Sequence, residues 1–150
     1  MKNQKLLLGT ETLVNLARSF AGESQARNRY HFYAEKLRGE GHEALYRTVM
    51  EIANNELAHA KVFINYMTDN TQFGFENIEI DGGYPYILGT LTVNLDAAAS
   101  GENSESNIIY PKFSKIAREE GFGEIANTFD LIAKVESEHE KIFRKMSQHL

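Results

Sequence analysis

Asn55-Glu56-Leu57-Ala58-His59-Ala60-Lys61-Val62-Phe63 and Val135-Glu136-Ser137-Glu138-His139-Glu140-Lys141-Ile142-Phe143 are two copies of one pattern, Glu-x-x-His with a phenylalanine one turn further on. On an α-helix, residues i and i+3 lie on the same face about one turn apart, so one helix can aim a carboxylate and an imidazole at a single ion. Two such helices, with carboxylates facing them, are the layout of a two-metal site inside a four-helix bundle.

Working outward, each pair lies a little over thirty residues after a Gly-Glu step, Gly22-Glu23 and Gly101-Glu102. Ala21-Gly22-Glu23 aligns with Ser100-Gly101-Glu102 as the two Glu-x-x-His segments align, so the chain reads as a duplicated helical hairpin. Apolar residues recur at helical spacing over about 10–38, 42–68, 88–118 and 122–147, which predicts an all-α chain. Gly39-Glu40-Gly41 and Glu120-Gly121-Phe122-Gly123 are short connections that make each pair antiparallel. The stretch 69–89 carries Gly74, Asp81-Gly82-Gly83 and Tyr84-Pro85, which break helix. Extended, it reaches about 66 Å against about 39 Å for a 26-residue helix, enough to cross the bundle. Residues 1–150 thus read as a single domain, a ferritin-like four-helix bundle of hairpins 10–68 and 88–147 joined by the crossover 69–89.

The core stripes share one defect. Leu13, Leu16, Phe20, Glu23, Arg27, Tyr30, Ala34 and Leu37 hold one face of the first helix; Leu45, Val49, Ile52, Glu56, His59, Phe63 and Met67 hold the second. The third runs Leu91, Leu95, Ala98, Glu102, Glu105, Ile109, Phe113, Ile116, and the fourth Ile125, Phe129, Ile132, Glu136, His139, Phe143, Met146. Each stripe is interrupted near mid-helix, which places Glu23, Glu56, His59, Glu102, Glu105, Glu136 and His139 in one layer. Bare ionised carboxylates buried together would cost several kcal/mol each and repel one another. Arg27 is the one basic residue on a stripe nearby, whereas two divalent ions could bind all five Glu and both His. Glu105 breaks the repeat, its counterpart being Ala26, so one metal gains a choice of ligands.

Composition narrows the classes further. A net charge of −5 offers no basic surface for nucleic acid or an anionic membrane, and two divalent ions would offset most of it. Without cysteine, the chain has neither disulfides nor a sulfur-ligated iron or zinc site. Leu6 to Leu8, after Lys2 and Lys5, are too few for a signal peptide, and no run approaches a membrane span; the default expectation is a cytoplasmic protein.

Phe20-Ala21-Gly22-Glu23-Ser24-Gln25-Ala26-Arg27-Asn28-Arg29-Tyr30, Glu56-x-x-His59-Ala60-Lys61, Ala99-Ser100-Gly101-Glu102-x-x-Glu105 and Glu136-x-x-His139-Glu140 together resemble the diiron domain of the rubrerythrin family over nearly the whole chain. The usual rubrerythrin also carries a four-cysteine rubredoxin domain, so this chain is similar to the short, rubredoxin-free members. The resemblance implies that Glu56 and Glu136 bridge two irons, that Glu23 and His59 complete one and Glu102 and His139 the other, and that Glu105 is a switchable seventh ligand. Ferric iron favours a hard carboxylate where ferrous iron tolerates imidazole, so oxidation is expected to draw one iron from His59 toward Glu105. Two ferrous ions supply the two electrons that reduce hydrogen peroxide to water, which implies a peroxide reductase with an external electron donor such as a rubredoxin or a reductase. A homodimer is expected by the same resemblance, with exchange of hairpins between chains as one form of it.

Tyr30 and Tyr110, two turns beyond Glu23 and Glu102, are expected to orient carboxylates by hydrogen bonding, or else to be ordinary amphipathic core. Gly22 and Gly101 suggest a close approach of helices, and Pro111 a bend in the third helix through loss of its bond to the Asn107 carbonyl. His31, His42 and His149 read as structural or surface residues. Two rival functions remain at this point, a ferritin-like ferroxidase that handles iron and a metal-stabilised structural module. Manganese and zinc suit the same Glu/His donors as iron.

Overall fold

A computed structural model describes residues 6–69 and 74–150; Lys2, Lys5 and the 70–73 portion of the crossover lie outside the described residues. The described residues form helices and connections with no strand: α1 Glu11–Gly39, α2 Glu43–Asp69, α3 Leu91–Ser104, α4 Tyr110–Glu119 and α5 Gly123–Gln148. A π-helical turn, Glu105–Ile109, joins α3 to α4, so the two form the third rod of a four-rod bundle. No helix among the described residues is long and apolar enough to cross a membrane.

Both hairpin turns close by the same local chemistry. His42 N–H donates to the Leu37 carbonyl and Gly41 N–H to Arg38; in the second turn Phe122 N–H donates to Ala117 and Gly121 N–H to Arg118. The pattern needs a left-handed residue, and Gly41 and Gly121 supply φ of 92° and 89°. Glu120 then ties the hairpins together, because its carboxylate accepts from the Glu11 and Thr12 backbone N–H groups at 3.1 and 2.7 Å, at the positive end of the α1 dipole.

The crossover from Gly74 onward is non-helical and lies against α1. Arg18 grips Asp81 through its carbonyl at 2.9 Å and its carboxylate at 2.5 Å, Tyr84 donates to the Arg18 carbonyl at 3.1 Å, and Tyr33 donates to the Ile87 carbonyl at 2.5 Å. At its end the Asn94 side chain accepts from Gly89 N–H and donates to the Gly89 carbonyl.

The core is split in two. Leu13, Leu16, Phe63, Phe113, Phe129 and Ile132 belong to one apolar cluster, and Tyr33, Leu37, Val49, Ile52, Leu95 and Phe143 to the other. Between them sits a layer of fully buried Glu23, Glu56, Glu102 and Glu136, joined by His139. Burying an aliphatic or aromatic side chain contributes about 1.5–3 kcal/mol, so the two clusters offset the cost of holding that layer dry.

The third rod departs from expectation. Where a bend at Pro111 was expected, the rod carries a π turn just before it: Tyr110 N–H donates to the Glu105 carbonyl, five residues back, and Pro111 sits in the first turn of α4, where a missing N–H costs little. The additional residue turns the rest of the rod by about 100°. The stripe drawn through Ile109 and Ile116 therefore moves to Tyr110 and Ala117, which are buried, while Ile109 is 37% exposed.

Candidate metal centre

The side chains that interrupted the stripes converge at the middle of the bundle. Glu23 comes from α1, Glu56 and His59 from α2, Glu102 from α3, and Glu136 and His139 from α5. Glu23, Glu56, His59 and Glu136 each offer an atom within 4.8 Å of the others, and so do Glu56, Glu102, Glu136 and His139. Glu56 and Glu136 belong to both sets. The Nδ1 atoms point inward: His59 Nδ1 lies 2.9 Å from Glu136 and 3.6 Å from both Glu23 and Glu56, while His139 Nδ1 lies 3.1 Å from Glu56 and 3.6 Å from Glu102.

What these atoms lack identifies what they suit. Glu23 Oε2, both oxygens of Glu56 and of Glu136, Glu102 Oε2, and Nδ1 of His59 and His139 are buried without a hydrogen-bond partner. A buried polar atom left unpaired costs about 1–3 kcal/mol, and native proteins rarely tolerate a cluster of them. Divalent cations would satisfy all eight atoms at once. Oxygen and imidazole donors suit iron, manganese and zinc.

Metal-free, the layer titrates accordingly. Burial first, then the Glu23 and Glu102 charges, hold the Glu56 carboxyl well above the ordinary carboxylate range; burial, then Glu23 and Glu56, do the same for Glu136. Glu105, on the π turn, belongs to neither set of four. It is partly exposed, but its Oε2 is buried and unpaired, and its carboxyl is pushed well up by burial and by the charges of Glu23 and Glu102.

Both tyrosines bond to the layer, across the hairpins. Tyr30 donates to Glu102 Oε1 at 2.8 Å and Tyr110 donates to Glu23 Oε1. Burial, reinforced by the Glu102 charge for Tyr30 and the Glu23 charge for Tyr110, raises both phenols well above their ordinary range and keeps them donors.

Other expectations resolve differently. Arg27, set aside above in favour of metal ions as the partner of the carboxylates, pairs with His31 Nδ1 at 2.8 Å, while His31 Nε2 lies 3.2 Å from Glu35, an exposed carboxylate one turn on. Gly22 and Gly101 do not mark a contact between helices. A Cβ on Gly22 would meet the Tyr84 ring of the crossover at 3.4 Å, and one on Gly101 would meet nothing within 4 Å. Both glycines instead line a cavity of about 820 Å³, together with Tyr30, Glu105, Tyr110, Arg29 and Lys112. Asn55 lies 3.2 Å through its side-chain amide from His139 Nε2; the repeat shows that its counterpart at position 135 is valine, but not which residue Asn55 meets.

The Rubrerythrin family model matches residues 14–147. The chain is 45% identical to Rubrerythrin-1 of Clostridium acetobutylicum over 147 residues, 97% of this chain and 74% of that one. It is 37% identical to rubrerythrin of Nitratidesulfovibrio vulgaris over the same shares. Among solved structures, partially reduced nigerythrin superposes with a TM-score of 0.76 at 25% identity, covering 99% of this chain and 70% of that one. Desulfovibrio desulfuricans bacterioferritin superposes at 0.81 with 21% identity, over 93% and 79%, a likeness of fold.

Proposed function

Since the chain belongs to the rubrerythrin family, we propose that it is a cytoplasmic non-haem diiron peroxidase that reduces hydrogen peroxide to water with electrons from an external donor. The observation that carries the reading is the pair of four-residue sets sharing Glu56 and Glu136, which is what two adjacent ions bridged by two carboxylates require. Two ferrous ions held there supply two electrons which, with two protons, convert hydrogen peroxide to two waters.

The chain's own residues do the rest. Glu56 and Glu136 would be shared by the two ions, Glu23 and His59 would hold one, and Glu102 and His139 the other. Tyr30 and Tyr110 each hold one oxygen, Oε1 of Glu102 and of Glu23, and the unpaired Oε2 of each would be left for metal. Glu105, on the π turn with a buried unpaired Oε2, is the carboxylate that would offer one ion a harder donor than His59. The cavity past Gly22 and Gly101 admits the small polar substrate to the wall formed by Glu105 and the tyrosines. These 150 residues contain no cysteine, so reducing equivalents would reach the centre from outside them, from a rubredoxin or a reductase.

Anaerobic stopped-flow of the diferrous protein tests the assignment. Oxidation much faster by hydrogen peroxide than by dissolved oxygen is expected. Faster oxidation by oxygen, with iron turned over beyond two per chain, would replace it with a ferritin-like ferroxidase.

A further inference from the structure

The two histidines of the centre look equivalent but are not. Their rings stack with centroids 6.3 Å apart and 25° between planes, each on the same step of the Glu-x-x-His repeat, each with Nδ1 turned to the carboxylates. Behind the rings the halves differ. His139 Nε2 meets the side-chain amide of Asn55 at 3.2 Å, from the residue just before Glu56. The residue just before Glu136 is Val135, which has neither donor nor acceptor in its side chain. His59 Nε2 accordingly has no hydrogen bond among the described residues, and the His59 side chain is the more exposed, 12% against 4%.

The chemistry of an imidazole gives this difference a direction. A ring that offers its Nδ1 lone pair to a cation carries its proton on Nε2, and the partner of that proton fixes both tautomer and ring orientation. The oxygen and nitrogen of an asparagine amide are nearly isosteric, so with the oxygen turned inward the contact is an Nε2–H donation to Asn55 Oδ1. We infer that Asn55 is a positioning residue that locks His139 toward the centre from across the hairpins, leaving His59, for which the repeat offers valine at the matching position 135, as the imidazole without such a lock. The inference rests on the two-metal reading above and goes beyond it, because it assigns the asymmetry between the ions to a side chain that touches neither.

The test uses zinc, which is redox-silent, and reads the imidazole protons rather than turnover. In zinc-loaded protein labelled at histidine nitrogens, the His139 Nε2 proton should exchange with water roughly tenfold more slowly than that of His59, as one added hydrogen bond implies. Asn55→Val should bring the two rates to within about threefold and weaken zinc binding by roughly 10–100-fold. Asn55→Asp, which restores an acceptor, should recover the protection, a rescue that a packing role would not give. Val135→Asn should slow the His59 proton. An Asn55→Val protein that holds zinc with His139 exchange unchanged overturns the inference. Should the wild type take up no divalent metal, the two-metal reading fails by itself. The same exchange comparison is then read in the metal-free proteins, where an unchanged His139 rate in Asn55→Val overturns the inference too.

Discussion

The phenol of Tyr30 on α1 donates to Glu102 on α3, and the phenol of Tyr110 on α4 donates to Glu23 on α1, so each hairpin anchors a carboxylate that the other contributes. The two bonds are related by the pseudo-symmetry of the repeat. Tyr30→Phe and Tyr110→Phe should therefore weaken metal binding to a similar extent, roughly 10–100-fold each. Competition with a chelator of known affinity measures this. Unchanged affinity in both variants would reduce the tyrosines to core packing.

Stability of the metal-free protein should fall as pH rises. Glu56, Glu105 and Glu136 have folded-state pKa values raised above the ordinary carboxylate range, so between those limits the folded chain holds protons that the unfolded chain has released. The stabilising protonation is complete at low pH and is lost as pH passes upward through the raised values. Calorimetry in the presence of a chelator should give a lower Tm at pH 8 than at pH 5.5, by roughly 2–4 °C for each kcal/mol lost at this chain length. Divalent metal should raise the Tm more at pH 8 than at pH 5.5, since the metal competes with the same protons. A chelated protein whose Tm climbs over that range would contradict the account.

Glu136 and Glu105 should separate holding metal from using it. Glu136 is shared by both sets of four, so Glu136→Ala should leave fewer than two tightly bound ions per chain. Glu105 belongs to neither set, so Glu105→Ala should keep two ions while slowing oxidation of the diferrous protein by peroxide by roughly 10–100-fold. Metal analysis after gel filtration gives the first result and stopped-flow the second. A Glu105→Ala protein altered in Tm alone would favour a structural role for the metals.

Much of this was legible in the sequence, and what was not has a common cause. The period of the apolar residues and the two Glu-x-x-His steps depend on local spacing alone, so the all-α bundle and the convergence of Glu23, Glu56, His59, Glu102, Glu136 and His139 could be read directly. The π turn could not: Glu105–Ile109 has no residue that forbids an ordinary helix, and Pro111 marked the irregularity without revealing its form. The shift of the stripe from Ile109 to Tyr110 followed from that one residue. Partners across the bundle were equally hidden, because Tyr30 lies 72 residues from Glu102 and Asn55 lies 84 from His139.

The glycines show the same limit and give a prediction of opposite sign. Close helix packing at Gly101 would make any side chain there destabilising, yet a Cβ would meet nothing within 4 Å. Gly101→Ala should therefore stabilise the protein by about 0.5–1 kcal/mol, through helix propensity and a less flexible unfolded chain. Chemical denaturation at matched metal content would show it. A loss of more than ~1 kcal/mol would mean that the cavity is occupied in solution.

In the core, Phe129→Ala should be among the most damaging substitutions. Phe129 is fully buried and touches the rings of Phe63, Tyr110 and Phe113 with centroids 5.4, 5.7 and 5.7 Å away. Its removal should cost about 3–5 kcal/mol, a Tm loss of roughly 6–20 °C.

Both four-residue sets draw on α2 and on α5, the last helix of this chain to leave the ribosome. A growing chain that has made only α1 and α2 has Glu23, Glu56 and His59 but neither Glu136 nor His139, and so cannot complete either coordination set. Completing either set therefore takes both hairpins, so an ion that needs four of these donors would be held only after the hairpins have met. Both histidines and all four fully buried carboxylates share one layer only when the two hairpins are packed together, with an apolar cluster on either side.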